Sequence, residues 1–566
     1  MPYHPTRQKT PRPTGAPLEI DLVFNVRPCG TCTYFWPDDP SQQPYGPYPA
    51  FDFGPGKLPD PETDQIVVSF PWTVGTTRPA AFPNPEVVDG CRKAPIMTIG
   101  INPNLTAFAP NRTGASWCYP SFYTDDGGDE WTKYAYYYRY RSVYQERFDL
   151  DFIRPYLLPE PRVVAPRPGV VTAGVRTSDS PSFELHVCYD GDDADTVIPL
   201  VAERGSPRWV VLFDSHPPNH RFAAGDVLAA RLDVPPGQTA QIYRDQVGYY
   251  EQFVPVLTGF EALLRQRGYT GRPLLIGEDV CQLDMVACAS PHWTPDYLGG
   301  KSSEQDIVDN CVVENAWAMK QVVQTQPAVL YLVGEASYNM FRATFGALID
   351  RDPPLSHSPA DGAFTLLRES TDADHPCYFR FSTVIDGTPY NLETRLVITP
   401  HFSYSTNFAP QFRLSPQQWQ TLQAQDPTCA DFLQHDARLT YVQPEQPRDY
   451  AAVLVKHDAP GVLADIGRLY PAQAAELEAA FYDPHAMMGS VLSDLVDQGT
   501  LGYGPAVDGS GDVLTRTTGS CHFCVNSFWQ FPLGCPYGKP NEPPPAAGYL
   551  EQVAAALVAA GHGGQA

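Results

Sequence analysis

Four apolar runs, each broken by glycine, asparagine or proline, alternate with amphipathic stretches, and this alternation constrains the fold more than any other feature of the chain. The runs are Ala94–Asn104 (APIMTIGINPN), Leu274–Ala287 (LLIGEDVCQLDMVA), 328–334 (AVLYLVG) and Arg395–Thr399 (RLVIT, stopped by Pro400-His401). Val247–Gly268, Glu304–Gln324 and Tyr338–Ile349 lie between them and read as helices. Strand–helix alternation of this kind predicts an α/β fold with a mostly parallel sheet covered by helices. In such sheets the turn after each strand carries polar groups to the carboxyl edge, where ligands bind. The turn Asn102-Pro103-Asn104 is the first candidate for that role.

Length and composition set the surroundings. At 566 residues the chain has room for two to four domains. Its 60 prolines, about 11% of the chain, stand among 31 tyrosines and 28 phenylalanines, which points to long ordered loops. Residues 1–17 read as a flexible arm, and 18–159 with 240–414 as the core. Residues 160–239, a series of short β-like runs parted by Gly, Pro and Asp turns, read as a β-rich insertion. Residues 415–566 read as a C-terminal extension with helices at 416–424, 471–482 and 545–561. No apolar run approaches 18 residues, so no membrane span is expected. The start, MPYHPTRQKTPRPTG, lacks the apolar segment of a secretory leader, and a cytoplasmic location is expected.

A net charge of −25 argues against non-specific binding to a polyanion, which relies on Lys and Arg at phosphates. A local basic groove is compatible with it. Trp131–Phe148 interleaves aromatic residues with Lys133, Arg139, Arg141 and Arg147, a pattern that suits stacking on a single strand. It equally suits a helix with its tyrosines packed inward.

Cysteines carry the strongest chemical signal. Cys29 and Cys32 form a C-x-x-C after a strand-like run, Cys288 ends the run DMVAC, and Cys311 lies on the next helix. Thiolates in this grouping suit a [4Fe–4S] cluster or zinc, or are unrelated reduced cysteines. Cys521, Cys524 and Cys535 offer a second site that would take zinc if a fourth ligand arrived from elsewhere.

Taken in order, APIMTIGINPN, DMVAC-ASP, the helix-borne Cys311, QPAVLYLVGEAS and VITPHFS resemble the motifs of the uracil-DNA glycosylase superfamily, more closely its iron–sulfur members. The resemblance covers about 200 residues scattered over 29–405. It implies a three-layer α/β sandwich and a hydrolase of DNA repair that cleaves the N-glycosidic bond of a base. Gly100-Ile-Asn-Pro103 is similar to the G-I-N-P of the mismatch-specific branch, which gives Asn102 the water-positioning role. His401 and Ser403 match the histidine and serine of H-P-S, and Cys29, Cys32, Cys288 and Cys311 the cluster ligands. A histidine can hydrogen-bond the anion that forms on the departing base, and an asparagine amide can hold the attacking water. The base must leave its stack and lie on an aromatic ring, for which Phe108, Trp117, Tyr119 and Phe122 are candidates.

Three departures matter. Asp284 replaces the base-reading asparagine, and a carboxylate accepts but does not donate. Weak or absent activity on uracil is therefore expected, with a better fit to an amino-bearing base. Asn104 stands where the superfamily keeps glycine, and Phe402 replaces the proline after histidine. The expected partner is DNA or a small molecule that carries a nucleobase. Two other readings stay open: an enzyme acting on a free nucleoside in the same pocket, and a non-catalytic cluster-bearing binding or structural protein.

Overall fold

The structure, a computed structural model, describes residues 91, 94–101, 157–173, 182–201, 208–211, 221–232, 252–274, 276–277, 279–287, 293, 301–505, 511–517, 545–546 and 548–562. Its centre is a six-stranded mixed sheet. The strands are β1 (Ile96–Gly100), β2 (Val280–Asp284), β3 (Val329–Val333), β4 (Ile349–Asp350), β5 (Tyr378–Ile385) and β6 (Thr388–Thr399), in the order β4-β5-β6-β3-β1-β2. β2, β1, β3 and β6 run parallel; β5 pairs antiparallel with β6, and β4, antiparallel to β5 at the edge, points the same way as the other four. The sheet is thus mixed, with β5 the strand that runs against the rest. The reason is local: Asp386-Gly387, with φ of +50° and +79°, forms a two-residue turn that suits strand twist and folds β5 onto β6.

Every residue of β1 and β3 is buried, which explains their unbroken apolar sequence. Met97, Ile99, Leu283, Leu330, Leu332 and Ile398 face one layer, built on α3 (Trp317–Thr325), α4 (Glu335–Phe345) and the last helix, α11 (Tyr549–His562). Ile96, Val280, Val329, Tyr331 and Val397 face the other, built on α1 (Val254–Gln266) and α10 (Pro484–Asp497). Each such side chain contributes about 1.5–3 kcal/mol by leaving water. Helix α5 (Gly362–Thr371) joins this second layer through Leu367.

The stretch read as one helix over 304–324 is three pieces. α2 (Lys301–Val308) runs into a π-helical turn, Asp309–Glu314, and the chain breaks at Ala316 (φ +49°) before α3. Between β1 and α1, the described residues of 157–232 include seven strands in two antiparallel sheets around Val171, Leu185, Val187, Leu200 and Phe222.

A second compact unit begins at Gln411. It runs β7 (Gln411–Leu414), α6 (Pro416–Gln425), α7 (Pro427–His435), β8 (Leu439–Val442), β9 (Ala451–Val455), α8 (Ala459–Leu469), α9 (Ala474–Ala480) and β10 (Phe481–Tyr482), with the antiparallel order β8-β9-β7-β10. That is a split β-α-β-β-α-β arrangement. Its core holds Phe412, Trp419, Leu433, Val453 and Ile466. The chain then returns to the main sheet through α10 and α11, so residues beyond 414 build part of the central core as well as a unit of their own. No helix among the described residues is long and apolar enough to cross a membrane.

Candidate functional site

Numbered along the chain, the four parallel strands lie in the order second, first, third, fourth. The chain therefore passes from β1 to β2 on one side and from β3 to β6 on the other, which places the switch point between β1 and β3. Such a switch point opens a crevice outside the carboxyl ends of the two diverging strands. Register brings those ends level: Gly100 pairs with Asp284, Ile99 with Leu332, and Val333 with Thr399. Asp284 thus flanks the crevice on one side, and the segment after β6, starting at Pro400-His401, flanks it on the other.

His401 is fixed by its neighbours. The Gly334 N–H donates to Thr399 O (2.9 Å), which ties the exits of β3 and β6 together. Gly334 has φ +88°, and a Cβ there would lie 3.2 Å from His401 Cδ2, so a glycine lets the imidazole lie against the backbone. The Ser403 backbone N–H donates to His401 Nδ1 (3.2 Å). Burial lowers the pKa of His401, so its neutral form is favoured. With Nδ1 accepting, that neutral ring carries its proton on Nε2 and can donate it. Ser403 itself is exposed, and its backbone N–H is what serves the site. Phe402, in the place of the expected proline, is buried with Phe253 and Phe408 at ring distances of 6.1 and 5.6 Å and anchors the loop from below.

Asp284 ends β2 on the same face as Gln282. Burial pushes its carboxyl up to about 7, against an opposing hydrogen bond from the Gln282 side chain. The site therefore carries a neutral imidazole and a carboxyl that titrates near neutrality, both set by the same desolvation. Two backbone bonds brace the turn that leads to Asn102: Met285 N–H to Gly100 O (3.0 Å) and Val286 N–H to Ile101 O (2.9 Å). Asn102, Phe108, Trp117, Tyr119 and Phe122 lie outside the described residues, as does the basic aromatic stretch at 131–148.

Of the candidate thiol ligands, Cys311 lies among the described residues. Cys311 is buried on the π-helical turn, and its Sγ accepts the Ala287 N–H at 3.4 Å. Ala287 immediately precedes Cys288 in the chain. A backbone N–H aimed at sulfur suits a thiolate, and π-helical turns are frequent at functional sites. Cys29, Cys32, Cys288 and the trio Cys521, Cys524 and Cys535 lie outside the described residues. Among the described residues no three His, Cys, Asp or Glu side chains cluster to hold a metal.

Sequence reasoning missed Thr98, Gln282 and Gly334. Thr98 (1% exposed) and Gln282 (4%) are polar residues inside otherwise apolar strands, and that interruption is the signal that marks them. Gly334 is marked only by its place between a buried strand and a helix. Glu335 opens α4 at this same edge and directs its carboxylate to the start of α5, where a Cβ on Gly362 would lie 2.6 Å from Oε2. The chain has no significant match among family models, curated proteins or solved structures.

Proposed function

We propose that this protein is an iron–sulfur glycosylase of the uracil-DNA glycosylase type, with that superfamily's α/β sandwich, acting on a non-standard base in DNA. The observation that carries the reading is His401: a neutral imidazole, with Nδ1 engaged and Nε2 as donor, standing across a strand-order switch point from Asp284. In the reaction the C1′–N bond breaks and its electron pair goes to the base. His401 Nε2–H hydrogen-bonds the oxyanion that develops on the leaving base, a contact stronger in the transition state than before it. Asn102 holds the water whose oxygen bonds to C1′ and whose proton passes to the departed base anion, giving the free neutral base and a C1′ hydroxyl. Asp284 reads the base edge, and ionised it accepts a donor such as an exocyclic amine and gives uracil nothing in return. Phe108 or Trp117 would stack on the base.

Cys29, Cys32, Cys288 and Cys311 would hold the cluster, and the Cys311–Ala287 contact supports that donor set. A cluster there would tie the N-terminal loop, the exit of β2 and the π-helical turn into one structure. The C-terminal cysteines would hold zinc. The net charge of −25 favours a second reading, in which the same pocket takes a free nucleoside.

One screen separates them. Oligonucleotides and free nucleosides bearing varied modified bases are incubated with wild type, Asn102→Ala and His401→Ala. Base release from DNA that falls about 10²–10³-fold in His401→Ala supports the glycosylase reading. Release from nucleosides alone supports the second. Activity that survives both substitutions refutes the site.

A further inference from the structure

The Glu335 carboxylate supplies what the proposed reaction lacks, and the inference drawn from it rests on that reading. The attacking water must lose a proton as its oxygen bonds to C1′. Asn102 orients that water but is no base, since an amide nitrogen only donates and its oxygen takes up no proton. Asp284 stands at the exit of β2, with β1 between it and β3, and is given to the base edge. Glu335 opens α4 directly after Gly334, at the exit of β3. In the sheet β3 lies between β1 and β6, with neighbouring strands about 4.8 Å apart. Register brings the three exits level, so the segment after β3 stands between those that carry Asn102 and His401.

The side chain leans toward His401. The His401 ring lies on Gly334, and the next residue, Glu335, rests its Oε2 on the backbone of Gly362, where a Cβ would be 2.6 Å away. Gly362 starts α5, which runs back along β6: the Ile398 N–H donates to Ser370 Oγ (3.0 Å) near the helix end, and Arg395 Nη2 donates to Asp372 O (3.3 Å) just after it. The start of α5 is therefore carried about 12 Å further, past the exit of β6. Gly362 has φ +48°, which favours glycine and leaves the carboxylate its seat. Glu335 is half-buried, yet its carboxylate takes no hydrogen bond and no ion pair among the described residues. Asp361, one residue before Gly362, is by contrast matched by Arg413 through both oxygens. A carboxylate drawn partly out of water and matched by no donor keeps its lone pairs for a ligand.

We propose that Glu335 is the general base of the reaction. As the water oxygen bonds to C1′, one water proton passes to a Glu335 oxygen and from there to the base anion that has left. The carboxylate is regenerated, and the products are the free base and a C1′ hydroxyl. The charges of the step are then divided between two strand exits: His401 meets the anion, and Glu335 meets the sugar that turns cationic as the C1′–N bond breaks.

The test uses the full chain and the oligonucleotides or nucleosides that wild type cleaves in the base screen. Glu335→Gln keeps the shape and removes the base; its kcat falls about 10²–10⁴-fold while thermal melting stays at the wild-type value. Glu335→Ala falls as far, and sodium formate, a small carboxylate that fits the space left, raises its kcat about tenfold or more. Formate leaves wild type and His401→Ala unmoved. A merely structural role would leave Glu335→Gln active and formate without effect, and either result overturns the proposal. If Glu335→Ala does not fold, Glu335→Asp takes its place: it keeps a base and retains more activity than Glu335→Gln, and equal rates overturn the proposal. Activity lost in His401→Ala but kept in Glu335→Gln rejects Glu335 and keeps the glycosylase reading. Cleavage of free nucleosides alone, with the same dependence on Glu335, rejects the DNA reading and keeps the assignment of Glu335. A wild type that cleaves neither overturns both.

Discussion

Burial acts in opposite directions on His401 and Asp284, because it disfavours whichever form is charged. For histidine that is the acid, and the ring stays a neutral donor. For aspartate it is the base, and the carboxyl resists ionisation up to about 7 from an ordinary value of 3.8. The folded pKa lies above the unfolded one, so the linked stability is fully present below about pH 4 and is lost as pH rises through about 7. Asp284→Asn does not titrate. It is expected to melt at higher denaturant than wild type above pH 7, by about 1–3 kcal/mol, with the gap closing in acid. Denaturant titrations across pH check this, and a gap of equal size at every pH would sink it. The same substitution restores a donor and is expected to shift preference toward oxo bases, read by the base screen.

At the scale of elements, strand exits and one irregular helix do the positioning. Gly334 combines φ +88° with ψ 154°, a region almost closed to other residues, and gives room to His401. Gly334→Ala is expected to cost about 1–3 kcal/mol and to lower kcat by displacing the imidazole. Thermal melts and turnover measured together test it; a variant with wild-type turnover would show that the ring does not depend on this contact. The π-helical turn aims Cys311 at Ala287. Cys311→Ser is expected to lose iron and visible absorption, measured on the purified protein; a folded wild type without iron would refute the cluster. Strand exits were legible in the sequence because apolar runs end sharply at Gly100, Gly334 and Pro400. The π-helical turn was not, since DNCVVE shows no break to a 3.6-residue pattern, and its geometry follows from packing between α2 and α3.

At the scale of the molecule, the split β-α-β-β-α-β unit is locked to the central core. Arg413 on β7 pairs with Asp361 at the start of α5 (2.6 Å) and lies 3.9 Å over Phe364, while Arg368 donates to Phe481 O (2.6 Å). Burial raises the Asp361 carboxyl pKa and the Arg413 hydrogen bonds oppose it. Arg413→Ala leaves that buried carboxylate without its hydrogen-bonded partner, at a cost of about 3–5 kcal/mol, whereas the paired replacement Arg413→Leu with Asp361→Leu is expected to cost far less. Denaturant melts of both variants check it, and equal losses would show that charge burial is not the cause. None of this was legible in the sequence. Gln411–Leu414 and Phe481–Tyr482 are short strands that gain meaning only from partners tens of residues away, and α10 and α11 belong to a sheet begun some 400 residues earlier. By itself the sequence determined the alternation of strands and helices, the sharp exits at Gly100 and Pro400, and the residue types offered there, because these depend on local periodicity and turn chemistry. Only the tertiary structure decided that β1 lies between β2 and β3, that Thr98, Gln282 and Asp284 share one wall, and that His401 is a neutral donor. Those properties come from long-range pairing and from desolvation, and neither exists until the sheet has formed.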